Sequence, residues 1–147
     1  GIKTIFNLRG LHPFPGQDRW GAACVKAGFA YRELPALAAD APQRWMIERL
    51  LSAFEQAAFP VLIHCKAGAD RTGFAAALFL HYHEGWDIAE AARDQLTPAF
   101  GHDKNSRAGI LDFFFATFAA QSGDQTFDQW WRGYDPASVR EAFDRKL

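Results

Sequence analysis

Val61-Leu-Ile-His-Cys-Lys-Ala-Gly-Ala-Asp-Arg-Thr-Gly73 is the stretch on which the fold turns. Residues 61–64 are apolar and β-branched at Val61 and Ile63, which predicts a short, buried central strand. Residues 72–84, with Phe74, Leu78 and Phe79, are apolar nearly all round and predict a buried helix under the sheet. Between Cys65 and Arg71 lies a loop short enough to turn successive backbone N–H groups inward. Together with the helix N-terminus those groups form a cradle for an anion. Its phosphate-binding wall would be the backbone of Lys66, Ala67, Gly68, Ala69 and Asp70. Arg71, in the first helical turn, closes the cradle with two parallel charge-assisted bonds to phosphate-like oxygens. Cys65 sits at the bottom, where positive surroundings stabilise its thiolate. A thiolate facing a bound phosphoryl group is a nucleophile placed for in-line attack. Gly68 leaves the tight loop free of a Cβ, and Gly73 permits close helix packing. A lone buried cysteine at a strand end is commonly inert. The joint pattern His-Cys-x2-Gly-x2-Arg-Thr-Gly, in strand–loop–helix context, is what points to chemistry.

Upstream, strand and helix signals alternate. Residues 3–8 (KTIFNL) form a β-leaning apolar run, and Arg9-Gly10 open a loop holding Pro13, Pro15 and Gly16. Residues 17–27 read as a helix stopped by Gly28, and residues 29–34 as a second strand of alternating character. After a loop over residues 35–41, Pro42 takes an early helical position. Ile47, Leu50, Leu51, Phe54 and Ala58 then recur at helical spacing until Pro60. Downstream of the signature the chain reads as all-helical. Asp87 starts a helix running to Leu96, and residues 110–119 form another. Thr126 and Gln129 match a capping box, and Asp135-Pro136 open a last charged helix. The predicted fold is α/β: a short, mainly parallel central sheet flanked by helices, with a helical C-terminal half.

Composition narrows the function. A chain of 147 residues is expected to be one domain over residues 1–147, and 49% apolar against 22% charged residues excludes disorder. A net charge of −1 argues against nucleic acid as the main partner. No apolar run approaches the length that spans a bilayer, so no stable membrane insertion is expected. Two cysteines, Cys24 and Cys65, exclude a disulfide framework and a thiolate metal cage. Cys24, among Ala22, Ala23 and Val25, is expected to be buried. His81 and His83 fall on different faces of a helix, so no metal site is expected there.

The signature resembles that of the cysteine-dependent protein tyrosine phosphatase superfamily, His-Cys-x5-Arg-Ser/Thr. Its wording is most similar to compact bacterial and fungal members of the dual-specificity type, and it shares Asp-Arg-Thr with myotubularin-like lipid phosphatases. Gly1-Ile-Lys-Thr-Ile-Phe-Asn-Leu-Arg9, the Phe100-Gly101-His102 turn and the Trp-rich C-terminal helices resemble that group as well. The resemblance implies an N-terminal strand before Ile2 that this sequence lacks, a trimmed start, and a phosphocysteine mechanism with no cofactor and no metal.

It also implies the remaining roles. A general acid on the loop before the pre-signature helix corresponds to Asp40; as a residue two before Pro42, Asp40 also suits a helix N-cap. Asp70 is the rival acid, although a carboxylate beside a dianion is costly unless it turns outward to a basic partner. Thr72 would hydrogen-bond the cysteine sulfur, and His64 would buttress the Cys65 backbone. Lys66 adds charge at the rim, while Arg9 and the loop from His12 to Trp20, including Phe14, would wall the pocket. Expected substrates are phosphorylated proteins or small phosphomonoesters, with phosphoinositides or inositol phosphates as the alternative. The expected setting is cytoplasmic. A phospho-binding pseudophosphatase and thiol redox chemistry of the arsenate-reductase kind compete with this reading; the latter usually needs further cysteines.

Overall fold

In the computed structural model, which describes residues 1–10 and 15–147, Thr4–Asn7 (β1) is buried along its whole length. It is the middle strand of a three-stranded parallel sheet, paired on one side with Ala30–Glu33 (β2) and on the other with Val61–His64 (β3). The helices Gln17–Lys26 (α1) and Arg44–Gln56 (α2) make the crossovers that parallel pairing requires. Helices Asp70–Glu84 (α3), Ile88–Gln95 (α4), Ile110–Gln121 (α5), Phe127–Gly133 (α6) and Pro136–Asp144 (α7) complete the chain. The predicted fold class is the observed one. No helix among the described residues is long and apolar enough to cross a membrane.

Three local expectations need correction. β3 is not central: among the described residues it pairs only with β1, Val61 and Ile63 are half-buried, and Leu62 is 40% exposed. A four-residue apolar run looks the same whether one or both of its faces are covered. β2 shows little alternation, because as an edge strand it is exposed except at half-buried Tyr31. Finally, α2 starts at Arg44, so Pro42 precedes the helix and Ala58 lies beyond its end. Its apolar stripe, with Met46, Ile47, Leu50, Leu51 and Phe54 buried, is as the spacing predicts.

The core lies between the sheet and the helical half. Phe74 and Leu78 of α3 are fully buried, whereas its last turn emerges at His81 and His83. Phe114 of α5 packs at its centre, with its ring 5.9 Å from Phe74, 5.3 Å from Trp130 and 5.1 Å from Tyr134. Gly73 is where α3 meets the end of α4: a Cβ there would stand 2.8 Å from the Gln95 carbonyl oxygen. Caps close the C-terminal helices as their sequences predict. Asp87 accepts from the amides of Ala89 and Glu90, Thr126 and Gln129 form the reciprocal capping box, and Asp135 accepts from Ala137.

Registry decides what gathers at one end of the sheet. Asn7, Glu33 and His64 are level with one another, so the segments after all three strands leave from the same edge. The pairing continues past the strands: Leu8 N–H donates to the His64 carbonyl at 2.9 Å and Leu34 N–H to that of Asn7 at 2.8 Å. In parallel sheets the crevice beyond these carboxyl ends is where ligands bind.

Candidate active site

The loop after β3 carries Cys65 half-buried at its start, and Gly68 adopts φ +71°, a left-handed conformation that glycine takes without a Cβ clash. The loop enters α3 at Asp70, two residues earlier than the apolar pattern predicts. No side chain caps this helix, so its first amides are left for a ligand. Burial alone would push the Cys65 thiol up. The Thr72 hydroxyl and the backbone amides of Thr72, Ala67 and Gly68 outweigh it, and the thiol sits below its ordinary range. Thr72 Oγ1 is buried and has no conventional hydrogen-bond partner among the described residues, which leaves the sulfur as the group it serves. Arg71 Nε is likewise buried without a partner among the described residues. An unpaired guanidinium N–H in that position is costly, and a bound oxyanion would satisfy it.

His64 braces the loop from behind. Trp20 Nε1–H donates to His64 Nε2 at 3.3 Å, which places the imidazole proton on Nδ1, and Nδ1 lies 3.3 Å from the Cys65 carbonyl oxygen. Trp20 itself is 44% exposed, with its ring edge-on to His64. His12 and Phe14 fall outside the described residues. Lys66 is exposed at the rim. Cys24 is buried in α1 as expected.

A cavity of about 300 Å³ brings Arg71 together with Arg9 and with residues 36–40, including Asp40. Asn7 fixes the start of the Arg9 segment, its Oδ1 accepting from the Arg9 amide at 3.0 Å. Asp40 is no helix N-cap, because α2 begins at Arg44 and its N-cap position is Gln43. Its carboxylate instead accepts from the Ala41 amide at 2.8 Å and pairs with Arg140 at 3.6 Å. Arg140 Nη1 also donates to the Ala39 carbonyl at 2.6 Å, and the Tyr134 hydroxyl donates to that of Pro42. The C-terminal helices therefore hold the Asp40 loop over the end of the sheet, a link across about a hundred positions that no local sequence signal carries.

Asp70 does not line this cavity. Its Oδ1 lies 2.7 Å from Nδ1 of His102, whose Nε2 is 2.6 Å from Asp112 Oδ2. Neither His102 nor Asp112 was legible as a site residue; the only trace was the Phe100-Gly101-His102 turn.

A model of the tyrosine phosphatase family matches residues 1–96, the segment holding the sheet, the signature loop and the Asp40 loop. The chain belongs to the tyrosine phosphatase family. Among curated proteins, the dual specificity protein phosphatase TpbA of Pseudomonas aeruginosa is 40% identical over 48 residues, 33% of this chain and 22% of that protein. The stretch it shares with that relative is thus well short of the relative's whole length. The crystal structure of P. aeruginosa TpbA has the same fold, with a TM-score of 0.53 and 23% identity over 97% of this chain and 74% of that one. So has the core catalytic domain of the PP-IP phosphatase SIW14 from S. cerevisiae, solved with citrate. There the TM-score is 0.54 and the identity 17%, over 83% of this chain and 76% of that one. A tyrosine phosphatase signature therefore stands here on the fold that such phosphatases use.

Proposed function

We propose that this protein hydrolyses phosphomonoesters through a phosphocysteine intermediate, with phosphotyrosine or dual-specificity protein substrates first. One observation carries the reading: a thiol held below its ordinary range sits beside a helix end that no side chain caps and a buried Arg71 N–H with no partner among the described residues. In this reading the Cys65 thiolate attacks phosphorus, the P–O bond to the leaving group breaks, and Asp40 protonates the departing oxygen. Water then attacks the phosphocysteine, giving its proton back to Asp40 and releasing phosphate and the thiolate. Amides of the 66–70 loop and Arg71 hold the equatorial oxygens, and Thr72 stabilises the sulfur as it leaves. Asp70 is the weaker candidate for the acid, since His102 holds its carboxylate at 2.7 Å and it does not line the cavity, whereas Asp40 lines it beside Arg71 with Arg140 at 3.6 Å. The P. aeruginosa TpbA structure in complex with pTyr supports the lead substrate class by analogy of fold. That of SIW14, a PP-IP phosphatase, supports the inositol phosphate alternative in the same way. Two free cysteines suit a reducing, cytoplasmic setting.

The test is turnover of p-nitrophenyl phosphate, a phosphotyrosine peptide and an inositol polyphosphate by one preparation. Preference for the peptide over the polyphosphate is expected; the reverse order promotes the alternative, and no turnover of any of them favours a pseudophosphatase. Asp40→Asn separates the acid from a structural carboxylate. It should slow hydrolysis of an alkyl phosphate on the order of 10²-fold, within the range for one general acid. It should cost far less with p-nitrophenyl phosphate, whose leaving group departs without a proton. The basic limb of the pH–rate profile should flatten as well. Equal losses with both leaving groups would remove Asp40 from the proton transfer.

A further inference from the structure

His102 is 2% exposed and has a carboxylate on each ring nitrogen. An ionised carboxylate only accepts hydrogen bonds, and a neutral imidazole has one N–H to give. Two short contacts, of 2.7 and 2.6 Å, therefore require that the three groups share one more proton than neutral imidazole supplies. Asp70 is the first residue of α3, directly before Arg71, while Asp112 belongs to the first turn of α5. The turn that bears His102 also runs close to the cradle: a Cβ at Gly101 would reach ordinary van der Waals contact, 3.7 Å, with the Ala69 side chain. We propose that His102 is a positioning residue of the phosphate cradle. Clamped between Asp70 and Asp112, it turns the Asp70 carboxylate away from the anion site and locks the loop that carries Cys65 and Arg71.

The physical need is plain. Asp70 is covalently part of a loop whose purpose, on the reading above, is to hold a dianion and a thiolate, and a loose carboxylate there would repel both. Pairing with a buried imidazolium that Asp112 shares offsets part of its charge and fixes its direction. The other charged side chains around the clamp are Arg93 of α4 and Lys104, which line a cavity of about 540 Å³ beside His102 and Asp112. Burial alone would lower the His102 pKa, but Asp112 and Asp70 outweigh it and the net shift is upward from 6.5. A raised native value means that the clamp's contribution to stability is full below pH 6.5 and fades as pH rises through that raised value.

This inference rests on the cradle binding phosphoryl groups, so phosphate binding by the wild-type protein is measured first; its absence would fail that reading, not the clamp. Two quantities are then compared among wild type, His102→Gln, Asp70→Asn and the double variant. One is the inhibition constant of inorganic phosphate, and the other the pH midpoint of phosphate-protected alkylation of Cys65. His102→Gln is expected to weaken phosphate about tenfold and to raise the Cys65 midpoint by about one unit, the equivalent shift. The double variant is expected to recover most of both, because the charge that needed holding is gone. A double variant as impaired as His102→Gln would make His102 mere packing, and unchanged constants in His102→Gln would overturn the proposal. Should His102→Gln not fold, Asp70→Asn alone decides. A fall in the Cys65 midpoint of one unit or more would mean that the carboxylate already faces the cradle; a shift under about half a unit supports the clamp.

Discussion

Cys65→Ser is expected to remove turnover altogether, by at least about 10³-fold with p-nitrophenyl phosphate, while phosphate binding survives. The reason lies in how the sulfur is held. Thr72 and the amides of Thr72, Ala67 and Gly68 overcome the cost of burying a charge and keep the thiol below its ordinary range. A serine hydroxyl in the same cup stays protonated at neutral pH and forms no phospho-intermediate. The proposed anion site, however, consists of backbone amides and Arg71, none of which the substitution touches. Inorganic phosphate at a hundred times its dissociation constant should therefore still stabilise the variant by about 2.7 kcal/mol in a thermal melt. The wild-type rate should rise with pH along an acidic limb that lies below the range of a free thiol, because the reactive form is the thiolate. Residual activity within tenfold of wild type would displace Cys65 as nucleophile.

Arg71→Lys should cost about 10²-fold or more in kcat/KM, the scale of removing one preorganised donor from a charged transition state. Charge is conserved, so the loss measures geometry. The guanidinium is planar and offers two parallel N–H groups to two oxygens of one phosphoryl group; an ammonium is a point charge that cannot span them. Arg71 also reaches into the cavity shared with Arg9 and Asp40, so a shorter donor set would leave substrate misaligned with the acid. Binding of phosphate should weaken less than kcat/KM falls. A Lys variant of near-normal rate would reduce Arg71 to a structural role.

Much of this was legible in the sequence because the determinants are local. Strand, tight loop and helix follow one another without a break from Val61 to Glu84, so the anion cradle is built from neighbours in the chain. Gly68 takes the left-handed conformation that such a loop demands, and Asp87, Thr126 and Asp135 cap helices whose first turns lie within three residues of them. Hydrogen bonds of that range are written into adjacent residue types.

What tertiary structure alone decided depends on contacts between residues far apart in sequence, about which periodicity says nothing. The apolar run of β3 could not reveal that β1 takes the middle of the sheet, because strand order is set by the two crossovers and not by the strand's own residues. Asp40 read equally as a cap or an acid; the fold removes the cap, because Arg140 and Tyr134, from the other end of the chain, hold its loop ahead of α2. Asp70 read as a brace turned outward ahead of its reading as the acid, but nothing local named its partner: His102 meets it from 32 positions away, and Asp112 meets His102. In each case the residue's type set the chemistry open to it, and a partner distant in sequence set the contacts it makes.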